Sequence, residues 1–115
     1  MEVSIPVSIP VYEAKAELFR TIGHPARLRI LELLCNRDHA VHELAQHVEI
    51  SDSNLSQQLS VLRRAHIVVS TRRHGEVIYS ISVPEVRDLL LAGRLILREI
   101  AASQITIAET LEPVS

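Results

Sequence analysis

The sequence predicts a mainly α fold with one small β-hairpin. Three observations carry this. Apolar residues recur at helical spacing through most of the chain. One stretch rich in β-branched residues, from Ile67 to Ile81, breaks that period around His74-Gly75. Gly23, Pro25 and Pro84 punctuate the helical segments where breaks are needed.

Residues 3–10 repeat a tetrapeptide, VSIP-VSIP, whose prolines oppose a helix and favour extended backbone. An extended N-terminal arm over 1–10 is expected. The first helix spans Val11 to Ile22, with Ala14, Leu18, Phe19 and Ile22 as its apolar stripe, and Gly23 stops it. Pro25 suits the first turn of a second helix, from Pro25 to Asn36, with His24 helping to start it. A short third helix, Val41 to Val48, turns Val41, Leu44, Ala45 and Val48 inward, with Asp38 or His39 as its cap. The fourth helix runs from Ser51 to Ala65. Ser51 stands where its hydroxyl can accept from a first-turn amide, and Leu55, Leu59 and Leu62 form a narrow apolar stripe.

The period then changes. Ile67 to Arg72 or Arg73 and Val77 to Ile81 read as two strands around the His74-Gly75 turn. Pro84 opens a fifth helix, from Val83 to Ser103. Val86, Leu89, Leu90, Gly93, Ile96, Leu97, Ile100 and Ala101 make a broad apolar band on it. Only the first helix and a second copy of the chain remain to cover that band. A homodimer through the first and fifth helices is therefore expected, with Leu18, Phe19, Leu89, Leu90, Gly93, Ile96, Leu97 and Ile100 at its interface. Residues 11–103 form one domain on this reading, and 104–115 a C-terminal tail.

Apolar residues make up 47% of the chain and aromatics only 3%, so the core must be aliphatic. The single cysteine, Cys35, excludes an internal disulfide framework and suits a reducing compartment. At its helical spacing it reads as a small core residue rather than a thiol switch. No apolar run approaches the roughly 20 residues of a membrane span. With no basic leader either, a cytoplasmic protein without membrane contact is expected.

Charge distribution says more than the net value of −2. Residues 51–75 carry four arginines against one acid, Asp52, while the flanking segments are both net acidic. A basic middle is the footprint of one-sided phosphate contact. The fourth helix crowds Ser51, Asp52, Ser53, Asn54, Ser56 and Gln57 at its start and ends in Arg63 and Arg64. Ser, Asn and Gln are mediocre helix formers, so propensity does not account for their density. A surface that meets base edges and phosphates does. Two short helices with the second polar and basic make a helix-turn-helix. A hairpin tipped by Arg72, Arg73 and His74 directly after it makes a wing. Asn54 and Gln57 are the side chains expected to read bases, since amides can pair bidentately with adenine.

The segments LFRTIGHPARLRILELL, VHELAQHVEISDSNLSQQLSVLRRAHIV and RRHGEVIYSIS, spanning about residues 18–82, resemble the ArsR/SmtB family of winged helix-turn-helix transcriptional regulators. The resemblance implies a homodimer on an operator-promoter palindrome of double-stranded DNA, often released by a metal. It places base contacts at Asp52, Asn54, Ser56 and Gln57, and wing contacts at Arg72, Arg73 and His74.

The family's thiolate site falls here on Ala40-Val41-His42-Glu43, where both cysteines are missing, which opposes a soft-metal site. Its second site falls on Val83, Glu85, Ile96 and Glu99, where two of four ligands are aliphatic. His39 and His42 beside Glu43 remain as imidazole and carboxylate donors. Their chemistry suits a divalent transition metal, nickel, zinc or cobalt; since nickel-linked regulators occur in the family, the resemblance puts nickel first and zinc second.

Two other readings stand beside this one. The scaffold could be a protein-interaction module, or a regulator without a metal response whose signal arrives through an accessory protein. An enzyme is not expected: no Ser/His/Asp order stands out, and three glycines cannot build a phosphate cradle.

Overall fold

The computed structural model describes residues 9–111, with side chains to residue 104. The proposed arm lies mostly outside the described residues, and so does the end of the tail. Two compact units divide at Val83/Pro84.

In the first unit the helices are α1 (Val11–Ile22), α2 (Pro25–Asn36), α3 (Val41–His47) and α4 (Asp52–Arg64). The strands are β1 (His39–Ala40), β2 (Val68–Arg73) and β3 (Glu76–Ile81), in the antiparallel order β1-β3-β2. This is the expected mainly α, winged helix-turn-helix order with one addition. β1 pairs His39 with Tyr79 and Ala40 with Ile78. Two residues are too few for a period-2 signal, so the sequence did not show it.

The core is aliphatic. Ile30, Leu31, Leu34, Leu44, Leu55, Leu59, Leu62 and Val68 are fully buried. α2 packs on α4 and β3, and α4 packs on β2. Cys35 is half-buried, less enclosed than its spacing suggested.

The boundaries have local causes. His24 is the N-cap of α2, and its Nδ1 accepts from the Ala26 amide at 3.1 Å. The Ser51 hydroxyl accepts from the Asn54 amide at 3.2 Å and caps α4. The expected cap of α3 differs. Ala40 occupies that position, and the Glu43 carboxylate reaches back to accept from the Ala40 amide at 2.9 Å. This is the return half of a capping box. α4 ends in a Schellman motif: Ile67 N–H donates to Leu62 O at 3.1 Å and His66 N–H to Arg63 O at 3.0 Å. His66 holds the left-handed position, with φ 62°.

Gly23 stops α1 by a different route from the left-handed cap expected of a glycine. Its φ is −74°, open to any residue. Its amide donates to Phe19 O at 2.8 Å, and a Cβ on Gly23 would sit 2.8 Å from that same backbone oxygen. Backbone cannot yield as a side-chain end can. Gly23→Ala should therefore destabilise the fold by about 1–3 kcal/mol, read as a lower midpoint in urea. An unchanged or higher midpoint would show that the α1–α2 turn relaxes freely.

The second unit contains α5 (Glu85–Leu111), 27 residues long. It passes the expected end at Ser103, because the sequence offers no breaker before Pro113. Leu89, Leu90 and Gly93 are half-buried, whereas Ile96, Leu97 and Ile100 are exposed. Leu91 and Leu95 are exposed too, away from the band read in the sequence.

Candidate nucleic-acid interface

α3 and α4 are joined by a tight turn over residues 48–51, in which Ile50 N–H donates to Val48 O at 2.9 Å. The stripe of α4 is buried, so its remaining face must be presented outward. Asp52, Ser53, Ser56 and Gln57 are exposed there, and Asn54 is half-buried. The Ser51 hydroxyl is engaged as the cap, and Ser53 Oγ lies 3.3 Å from it. Asp52 places a carboxylate in the first turn, where the helix dipole favours it.

Arg63 and Arg64 are exposed in the last turn of α4. The helical rise puts them about 18 Å from Asp52. The helix thus separates a polar end from a cationic end.

The wing turns at His74 and Gly75 with φ of 51° and 79°. Positive φ at both central residues is the type I′ geometry, matched to strand twist. In register Arg72 pairs with Val77 and Arg73 with Glu76, so the two arginines and His74 form an exposed tip. Arg73 donates to Asp38 at 3.3 Å. Both side chains are about half exposed, and such a pair is worth little.

One network was missed by sequence reasoning. Gln58 is 8% exposed. It accepts from Arg27 Nε at 2.9 Å and donates to Asn54 Oδ1 at 2.9 Å. Arg27 also donates to Thr21 O at 2.8 Å. A signal for Gln58 did exist: it fills the i+3 slot of the stripe Leu55, Leu59, Leu62, where a polar residue needs a partner.

The structure does not gather His39, His42 and Glu43 into one donor set. His39 is buried, and its Nδ1 lies 2.9 Å from Arg37 O. His42 Nε2 meets Glu76 Oε1 of the wing at 2.6 Å. Glu43 is held by Arg37 at 2.9 Å and by the Ala40 amide. Among the described residues no group of three His, Cys, Asp or Glu is placed to hold a metal ion. In the single chain each of these three side chains is engaged in another contact. These residues instead tie the start of α3 to the wing and to the end of α2.

The Arg37 guanidinium, and after it the Ala40 amide, lower the Glu43 carboxyl from the ordinary 4.5 to about 2. A carboxylate depressed on folding contributes fully above its ordinary pKa, and loses that contribution as pH falls through its folded value. Melts taken between pH 5 and 2 should therefore fall more steeply for the wild type than for Glu43→Gln. Parallel curves would remove the linkage.

Residues 24–70 match the family described as bacterial regulatory protein, arsR family. An uncharacterized HTH-type transcriptional regulator of Mycobacterium tuberculosis, Rv0081, is 47% identical over 105 residues, covering 90% of this chain and 92% of that one. The crystal structure of Rv0081 matches with a TM-score of 0.78 over 85% of this chain and 99% of that chain. The transcriptional repressor BigR from Xylella fastidiosa matches with a TM-score of 0.69 at 33% identity, over 74% and 87%. The chain belongs to the arsR family of bacterial regulatory proteins. It is a winged helix-turn-helix transcriptional regulator, not an enzyme. Among the described residues no helix is long and apolar enough to cross a membrane.

Proposed function

We propose that this regulator is a cytoplasmic transcriptional repressor that binds an operator palindrome as a homodimer. The observation that carries this is the pairing, within one unit, of a polar outward face on α4 with an exposed cationic wing tip. Base contacts come from Asp52, Asn54, Ser56 and Gln57, and phosphate contacts from Arg63, Arg64, Arg72, Arg73 and His74. Two such surfaces about 34 Å apart fit successive major grooves. A bound dimer would obstruct transcription, in line with the Xylella relative, which is a transcriptional repressor. Dimerisation rests on the exposed apolar faces of α1 (Leu18, Phe19) and α5 (Ile96, Leu97, Ile100).

The test is titration of the purified protein against its own promoter fragment and a scrambled fragment at fixed salt. Saturable, sequence-dependent binding with two protomers per site is expected. Equal affinity for both fragments would overturn the reading and favour the protein-interaction module. A response to nickel, then zinc, is the finer part of the proposal. Its support is the exposed imidazole of His42, whose Nε2 would have to leave Glu76. Adding each ion to the titration reads it directly. Indifference to both moves the signal to an accessory protein.

A further inference from the structure

We infer that Arg27 and Gln58 set the hydrogen-bond polarity of Asn54, so that Asn54 presents its amine to a base acceptor, and so rejects cytosine, at one operator position. The inference rests on the DNA-binding reading above and adds to it the class of base that Asn54 selects and the two positioning residues behind it.

Arginine has donors and no acceptor. Arg27 Nε stands 2.9 Å from the Gln58 side chain, so the Gln58 atom facing it must be the carbonyl Oε1. That leaves the Gln58 amine, which lies 2.9 Å from Asn54. An amine donates, so the Asn54 atom facing it must be Oδ1. The orientation of both amides is thereby fixed by the one member that cannot be reversed.

Arg27 is itself anchored. It donates through a second nitrogen to the Thr21 carbonyl at 2.8 Å, at the end of α1. Gln58 is nearly enclosed, and Asn54 is half-buried one helical turn before it. The chain Thr21, Arg27, Gln58, Asn54 therefore runs from the end of α1, through α2, to the reading end of α4.

Asn54 Oδ1 is turned toward its own helix. Its Nδ2 carries two protons, and among the described residues nothing accepts them. An amine without an acceptor in the chain selects acceptors on the DNA. In the major groove guanine offers N7 and O6, thymine O4 and adenine N7 as acceptors, whereas cytosine presents only an amino donor. This differs from the bidentate adenine contact expected from the residue type alone, which needs Oδ1 as well as Nδ2 to face the base.

Polarity of this kind can be inverted. In Gln58→Glu the carboxylate still accepts from Arg27, so the buried pair stays matched. A carboxylate cannot donate to Asn54, and it draws the Asn54 amine inward instead. Oδ1 then faces the groove and selects an amino group. Gln58→Met removes both hydrogen bonds and leaves Asn54 without a fixed orientation.

The experiment selects sequences from a randomised operator library with the full chain, and measures affinities for the four bases at each position. Thermal melts confirm that each variant is folded. The wild type should disfavour cytosine at one position of each half-site. Gln58→Glu should move that position to cytosine or adenine, a change of roughly five- to a hundred-fold in relative affinity. Gln58→Met should flatten it. Other positions should keep their order in both variants.

A wild-type preference that both folded variants leave unchanged would overturn the polarity inference and leave the DNA-binding reading intact. So would a uniform loss of affinity with no change of preference, since that assigns the Asn54 amine to phosphate. A wild type with no preference at any position would overturn the DNA-binding reading, and this inference with it.

Discussion

Replacing Arg63, Arg64, Arg72 and Arg73 together by glutamine is expected to abolish most of the salt sensitivity of operator binding. Each phosphate contact releases condensed counterion and contributes about 0.9 to the slope of log affinity against log salt. Four contacts per protomer sum to about 3.6, and a dimer that docks both protomers reaches about 7. A wild type of that kind should lose on the order of 10³–10⁵ in affinity between 50 and 200 mM salt. The fourfold variant should bind weakly and nearly flat across that range. All four side chains are exposed, so the substitutions leave the core untouched. Two double variants separate the contributions. Arg72/Arg73 removes the wing tip, and Arg63/Arg64 removes the far end of α4, about 18 Å from Asp52. If the Arg63/Arg64 pair leaves the slope unchanged, those residues face away from the duplex and only the wing supplies the contact. If all four together leave it unchanged, the basic middle of the chain is not a phosphate-binding surface.

Much of this surface was legible in the sequence because its signals are local. Ser51 announces a helix start, Leu55, Leu59 and Leu62 fix which side packs, and His74-Gly75 fixes the wing turn. Each lies within a few residues of what it determines. The parts that stayed hidden depend on partners far along the chain. Gln58 looks like another exposed amide until Arg27, 31 residues earlier, is placed beside it. His39, His42 and Glu43 look like a donor cluster until the fold sets Arg37, Glu76 and the Ala40 amide against them. β1 exists because β3 is there to pair with it, not because His39 and Ala40 favour a strand. Residue type and spacing thus predict which chemistry is available. Competition between partners decides which chemistry is used.

The same reasoning makes α5 the place where a small change should have a large effect. Ile96 and Leu97 are 57% and 68% exposed in a single chain, and Leu91, Leu95 and Ile100 are also open. A helix so widely apolar belongs inside a larger core. Ile96→Glu with Leu97→Glu puts two charges into that surface without loading one helical row, since neighbours in sequence do not face each other. Glutamate is a good helix former, so the helix itself should persist. Sedimentation at micromolar concentration should show the wild type as a dimer and the double variant as a monomer. The melting temperature of the variant should also become independent of protein concentration. Operator affinity should fall by roughly 10²–10⁴-fold, because each half-site must then be bound without the effective concentration that the dimer provides. Binding of a single half-site should be nearly unchanged, because the reading face of α4 and the wing are intact. A variant that remains dimeric would place the interface elsewhere. A monomeric variant with undiminished operator affinity would show that the palindrome is not read by a dimer.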